Sequence, residues 1–122
     1  MMAIVLAVGI VVAIYTPSAL AGTPGVLYAE RCGGTFDGMA LTPPLVEVVL
    51  TQQSISIRYL SSTLEIPYSA VRSTRIDRHV LLRGVWIAHD LATPPTEIIL
   101  FSRHNDKLRA IIDEQARLVA AR

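Results

Sequence analysis

The chain has a single cysteine, Cys32, so no internal disulfide can staple it and nothing in its cysteine content marks an oxidising compartment. Aromatic residues make up only 6% of the 122 positions, and Trp86 is the sole tryptophan. No charged side chain occurs before Glu30. Over the whole chain the charge is balanced, eleven Lys and Arg against ten Asp and Glu for a formal net charge of +1. That lacks the basic excess with which a protein neutralises a phosphate backbone, so nucleic acid is not an expected partner. The His, Cys, Asp and Glu residues have no zinc- or calcium-site spacing, and Gly33-Gly34 lacks the strand, helix and lysine of a phosphate loop. No metal or cofactor is therefore expected.

The uncharged start is a membrane-directed segment. Between Ile4 and Leu20 it holds nine Ile, Val and Leu residues, which at their insertion scale favour the bilayer by about 3 to 5 kcal/mol. Residues 1–21 are read as a transmembrane or signal-anchor helix, which spans only if the helix continues through Thr16, Pro17 and Ser18. Two alternatives stand beside it. Ala19, Leu20 and Ala21 form the small-x-small triplet of a cleaved signal peptide, although the basic region such peptides carry is missing. Met1-Met2 can also lie inside a longer span begun upstream. Arg31 is the only basic residue within about twenty positions of the segment's end, so topology is weakly constrained.

Residues 22–44 hold five Gly and three Pro and read as a linker with one short strand at 26–31. From residue 45 onward the pattern is that of one small domain. Residues 46–50 begin a series of runs with period-two alternation, clearest at 54–59, where Ile55, Ile57 and Tyr59 point one way and Ser54, Ser56 and Arg58 the other. Ser61-Ser62 is read as the turn to a strand carrying Leu64 and Ile66, and Pro67 limits that strand. Strands at 71–78, 80–89 and 96–101 follow, with Gly84 a bulge or bend and Pro94-Pro95 a break. Connections this short make the sheet antiparallel.

The last segment changes to helical period. Leu108, Ile111, Ile112, Ala116, Leu118 and Val119 share one stripe, interrupted by Gln115, and Asn105 or Ser102 is placed to cap the start. Asp113 and Arg117 are spaced for an i,i+4 pair. The pattern predicts a mainly β domain, a partly open antiparallel barrel capped by an amphipathic helix, with Trp86 and Tyr59 as core residues.

The run Ser54-Ile55-Ser56-Ile57-Arg58, a hairpin turn, and then Leu64-Glu65-Ile66-Pro67-Tyr68-Ser69-Ala70-Val71 resembles the bacterial pleckstrin-homology-like domains, which have an Ile-Pro-x-Ser/Asp-x-Ile/Val turn. Ile98-Ile99-Leu100-Phe101-Ser102 and the following helix look like that family's last strand and capping helix. The resemblance covers residues 46–117 and implies a seven-stranded barrel behind one or two membrane helices. Six strands are visible, so either residues 26–31 supply the seventh or 80–89 bend into two. Eukaryotic relatives bind phosphoinositides through a basic first hairpin loop, but the loop taken as equivalent, Thr51-Gln52-Gln53, has no basic residue.

Three histidines stand beside carboxylates, His79 near Asp77, His89 by Asp90 and His104 near Asp106, without a matching nucleophile. No enzyme is expected. Arg72, Arg75, Arg78 and Arg83 place four positive charges within twelve residues and are the expected contact for anionic lipid or a protein partner. Alternation puts Arg72 and Arg78 on one face and Arg75 on the other. The leading expectation is a single-pass, membrane-anchored, non-catalytic binding or scaffolding module with its domain in the cytoplasm. The alternatives are a small-ligand carrier or enzyme using the barrel interior, and a periplasmic or secreted domain cleaved at Ala21.

Overall fold

The computed structural model describes residues 18–122, so most of the expected membrane segment lies outside the described residues. Seven strands follow one another: β1 (Tyr28–Phe36), β2 (Met39–Leu50), β3 (Ser54–Tyr59), β4 (Ser62–Pro67), β5 (Val71–His79), β6 (Leu82–His89) and β7 (Ile98–Phe101). The helix α1 (Asn105–Ala120) comes last. The strands form one sheet in the order β4-β3-β2-β1-β7-β6-β5, every neighbouring pair antiparallel. It curls into a half-barrel whose free edges, β4 and β5, are joined by a single 3-10 turn at Tyr68–Ala70.

Residues 28–44, expected as linker beyond a short strand, instead form β1 and the first half of β2. Gly and Pro hide the alternation there, and the sheet needs both. Between Cys32 and Gly34 the β1–β2 register jumps, from Cys32 opposite Val46 to Gly34 opposite Leu41. Pro43-Pro44 falls in that irregular step, where a missing N–H breaks no regular ladder. A Cβ on Gly33 would stand 2.8 Å from both the Leu41 carbonyl oxygen and Pro43 Cδ. The seventh strand is thus β1, and β6 stays in one piece.

Three hairpins close through two residues each, Asp37-Gly38, Leu60-Ser61 and Val80-Leu81, because Phe36 pairs with Met39, Tyr59 with Ser62 and His79 with Leu82. Asp37, Leu60 and Val80 sit in the left-handed region at φ 51°, 54° and 58°, which suits the twist of tightly connected strands. Ser62, expected in the turn, is therefore the first residue of β4. Gly84 is no bulge either: it pairs regularly with Asp77, and the irregularity of that hairpin falls between Val71 and Ser73. Its lack of a side chain answers a packing need, since a Cβ would lie 2.7 Å from Ile99 Cγ2.

The inner face buries Val46, Val48, Leu50, Ile55, Ile57, Ile66, Val85, Ile87, Ile98 and Leu100, with Leu64 partly buried against them. Leu108 and Ile112 of α1 close this core and are fully buried, while Ile111, Ala116 and Val119 pack at its margin. Leu118, expected on the apolar stripe, is exposed, and Gln115 is only half-buried. The start of α1 is not capped as expected. The Ser102 hydroxyl accepts from His104 N and Asn105 Oδ1 accepts from Ser102 N, so both close the corner before the helix. Arg117 pairs with Glu114, and Asp113 with Arg109 and the Thr74 hydroxyl, in place of an Asp113–Arg117 pair.

Candidate functional site

The β5–β6 hairpin carries all four arginines singled out above, and its register separates them. Arg75 lies directly opposite Trp86 on the outer face, pairs with Asp77 at 2.8 Å and holds its guanidinium 4.2 Å from the Trp86 ring centroid. Arg72 stands at the irregular step at the far end of β5 and pairs with Asp90. Arg78 and Arg83 lie opposite each other at the near end, on the face that also carries Ile76 and Val85. The four are therefore not one patch. Two are neutralised by neighbouring carboxylates, whereas no carboxylate among the described residues pairs with Arg78 or Arg83. Arg72 falls at the irregular step between Val71 and Ser73, outside the regular ladder that holds Arg75 and Arg78.

Beyond the Arg78/Arg83 pair the hairpin ends in an apolar tip. Val80 is 79% exposed, Leu81 89% and Leu82 55%. This tip shares an end of the sheet with the β7–α1 corner, since Asn105 Nδ2 donates to the Arg83 carbonyl. The start of β1 is there too, because the hydroxyls of Tyr28 and Ser102 are hydrogen-bonded. Ser18 reaches the fold on β2, donating to Glu47 Oε2; Glu47 lies opposite Arg31 and Arg58, one position from the Val46–Tyr59 pair beside the Leu60-Ser61 turn. Residues 18–21 form a turn, with Ala21 N bonded to the Ser18 carbonyl and Leu20 N to the Ser18 hydroxyl, so the expected helix does not extend through them.

The chemistry beneath this corner is structural. Glu30 is 8% exposed and its carboxylate accepts from the Tyr28 hydroxyl, the Ser102 hydroxyl and Arg103 N, which ties β1 to the entry of α1. Burial pushes the Tyr28 hydroxyl and the Cys32 thiol well above their usual ranges, and Cys32 is 1% exposed, so neither supplies an anion near neutral pH. The histidines are not oriented by the carboxylates beside them in sequence. His89 Nδ1 accepts from Leu91 N and its Nε2 contacts the Pro95 carbonyl, Asp90 goes to Arg72, and Asp77 to Arg75 and Arg78 N. Among the described residues no three His, Cys, Asp or Glu side chains are grouped to hold a metal ion.

Trp86, expected in the core, sits on the outer face instead. It belongs to a cross-strand row, Thr35, Ile99, Trp86 and Arg75, that spans β1, β7, β6 and β5. Trp86 Nε1 and Thr35 Oγ1 in this row are buried without a hydrogen-bond partner. Beside Trp86 lies a hollow of about 280 Å³ edged by Ser73, Arg75, Thr96 and Glu97. Tyr59, expected in the core, is partly buried at its margin and stacks on Phe36 at 4.1 Å.

The first hairpin turn is Asp37-Gly38 and not Thr51-Gln52-Gln53, which joins β2 to β3. Asp37 accepts from the backbone N–H groups of Thr96 and Glu97, so this turn too presents no basic residue. No family model, curated protein or solved structure matches the chain. Sequence reasoning missed the apolar tip and the Glu30 corner. The tip was legible as Val80-Leu81-Leu82 between Arg78 and Arg83, but these residues read as the start of a strand rather than as a turn. Nothing in the sequence separates a buried Glu30 from a solvated one.

Proposed function

We propose that this protein is a non-catalytic contact module of pleckstrin-homology-like architecture, held at a bilayer by its uncharged N-terminal stretch, with its folded domain cytoplasmic. The observation that carries the reading is the facing, carboxylate-free pair Arg78 and Arg83 at the base of an exposed apolar hairpin tip. Anionic head groups answer such a pair with roughly 1 kcal/mol per arginine near the surface. The seven-strand order and the C-terminal helix support the pleckstrin-like plan. So does the place of the Ile66-Pro67-Tyr68-Ser69-Ala70-Val71 motif, at the corner where β4 ends and the 3-10 turn leads into β5. An interior filled by Ile, Val and Leu side chains favours contact at the surface over a ligand held within.

The test is fractionation of the full chain. It should remain in the membrane pellet through high-salt and alkaline carbonate washes, because apolar insertion is insensitive to screening. Release into the carbonate supernatant would overturn the anchor. A second reading, a small-ligand carrier, is favoured by the hollow beside Trp86 with its unpartnered indole N–H. As the only tryptophan, Trp86 would report occupancy by a change in its fluorescence.

A further inference from the structure

We infer that the β5–β6 turn is a membrane finger, in which Val80, Leu81 and Leu82 enter the apolar edge of an anionic bilayer while Arg78 and Arg83 grip head-group phosphates at its base. The inference rests on the membrane reading above and adds the element that makes the contact.

Four observations converge on it. Val80, Leu81 and Leu82 are the most exposed run of large apolar residues among the described residues, at 79%, 89% and 55%. Three consecutive apolar side chains at the tip of a hairpin gain nothing from water, and on a soluble surface such a run is a defect unless something covers it. Val80 also holds φ 58°. A β-branched residue is poorly suited to the left-handed region, where Gly or Asn would relax the turn, so the valine is kept at the expense of local strain.

The third observation is charge. Arg78 and Arg83 are directly paired across the hairpin, and like charges in that position repel. A shared anionic surface removes the repulsion and supplies the counter-charge that no carboxylate among the described residues provides. The fourth is placement. The finger projects from the end of the sheet that holds the β7–α1 corner and the start of β1. The other tips differ. Asp37-Gly38 is polar, and Leu60 is one apolar residue towards the opposite end, where Tyr59 stacks on Phe36.

The test uses the full chain carrying Leu81→Cys labelled with a polarity-sensitive fluorophore, reconstituted in vesicles of phosphatidylcholine alone or with phosphatidylserine. Cys32 is 1% exposed and stays unlabelled in the folded protein. Leu60→Cys serves as the control position. The expected result is a blue shift at position 81, with quenching by shallow spin-labelled lipid, in the phosphatidylserine vesicles. Position 60 should keep the emission of a label in water. The shift should fall on adding salt and be lost in the Arg78→Gln/Arg83→Gln variant, since screening acts over about 10 Å at 0.1 M ionic strength.

Water-like emission at position 81 in both vesicle types, from a chain that resists carbonate, would overturn the finger and leave the anchor standing. A phosphatidylserine-dependent shift from a chain that carbonate extracts would keep the finger and overturn the anchor. A shift equal in both vesicle types that grows with the protein-to-lipid ratio would mean that the tip is covered by a second copy of the chain. That result would overturn the inference as well.

Discussion

Glu30 is the residue on which the candidate end of the domain depends most. A carboxylate this buried is tolerated because three donors converge on it, two hydroxyls and one backbone N–H. Glu30→Ala would take the acceptor from Arg103 N and leave the Tyr28 and Ser102 hydroxyls only each other, so that one hydroxyl proton loses its acceptor, and a buried donor left unpaired costs about 1 to 3 kcal/mol. The expected outcome is a lower urea midpoint with the slope unchanged. A midpoint equal to that of the parent would mean that water replaces the carboxylate without penalty and that the corner is not held by this residue.

At the scale of elements, α1 and the β5–β6 hairpin make opposite demands. α1 is stabilised by burial of one narrow stripe, so Ile112→Ala should lower stability by about 2 to 5 kcal/mol, the usual range for emptying a core site. Leu118→Ala, on an exposed position of the same helix, should change it by less than about 0.5 kcal/mol. Equal losses in urea unfolding would mean that the helix packs on a different face. The hairpin carries strain instead. Val80→Gly relieves a left-handed valine and should stabilise the domain by about 1 kcal/mol, seen as a higher urea midpoint, while weakening the blue shift of a label at position 81. Opposite signs for stability and insertion are the mark of an element shaped for contact rather than folding. Loss of stability in Val80→Gly would instead mean that the valine packs and is not strained.

For the whole molecule, burial of three acidic side chains sets an alkaline limit on the fold. Burial raises Cys32 from its ordinary value of 9.0 and Tyr28 from 10.0, and pushes Tyr68 up to about 12. Above about pH 9 the unfolded chain therefore releases protons that the folded chain keeps. The unfolded state then binds fewer protons, so stability falls as pH rises. With respect to these groups the urea midpoint should be flat below about pH 9 and decline towards about pH 12. Tyr68→Phe should soften the last part of that decline, at the loss of the hydrogen bond from its hydroxyl to the Thr51 carbonyl. A midpoint constant up to pH 12 would mean that the core opens to water around these groups.

Period-two alternation was legible from residue 46 onward where a strand buries one face, as β3 does, and helical period was legible in α1 for the same reason; β7 buries Ile98, Ile99 and Leu100 alike. The inward set Ile55, Ile57, Leu64, Ile66, Ile98 and Leu100 could be read directly. The short antiparallel connections followed from spacing alone. β1 and the front of β2 could not be read by alternation. There the glycines and prolines serve close backbone approach and an irregular register, both of which are properties of the partner strand rather than of the segment itself. Asp37-Gly38, a strong local hairpin signal, was the one clue to them. The arginines show the same division. Their density is a sequence property, but only the register decides that Arg72 and Arg75 meet carboxylates while Arg78 and Arg83 face each other. One residue of irregularity at the start of β5 sets Arg72 apart from the regular ladder that holds Arg75, Arg78 and Arg83, and exposure at a turn depends on which two residues the ladder leaves out. Local pattern therefore determined the class of fold and most of its core, and tertiary pairing decided where charge and apolar surface remain unpartnered.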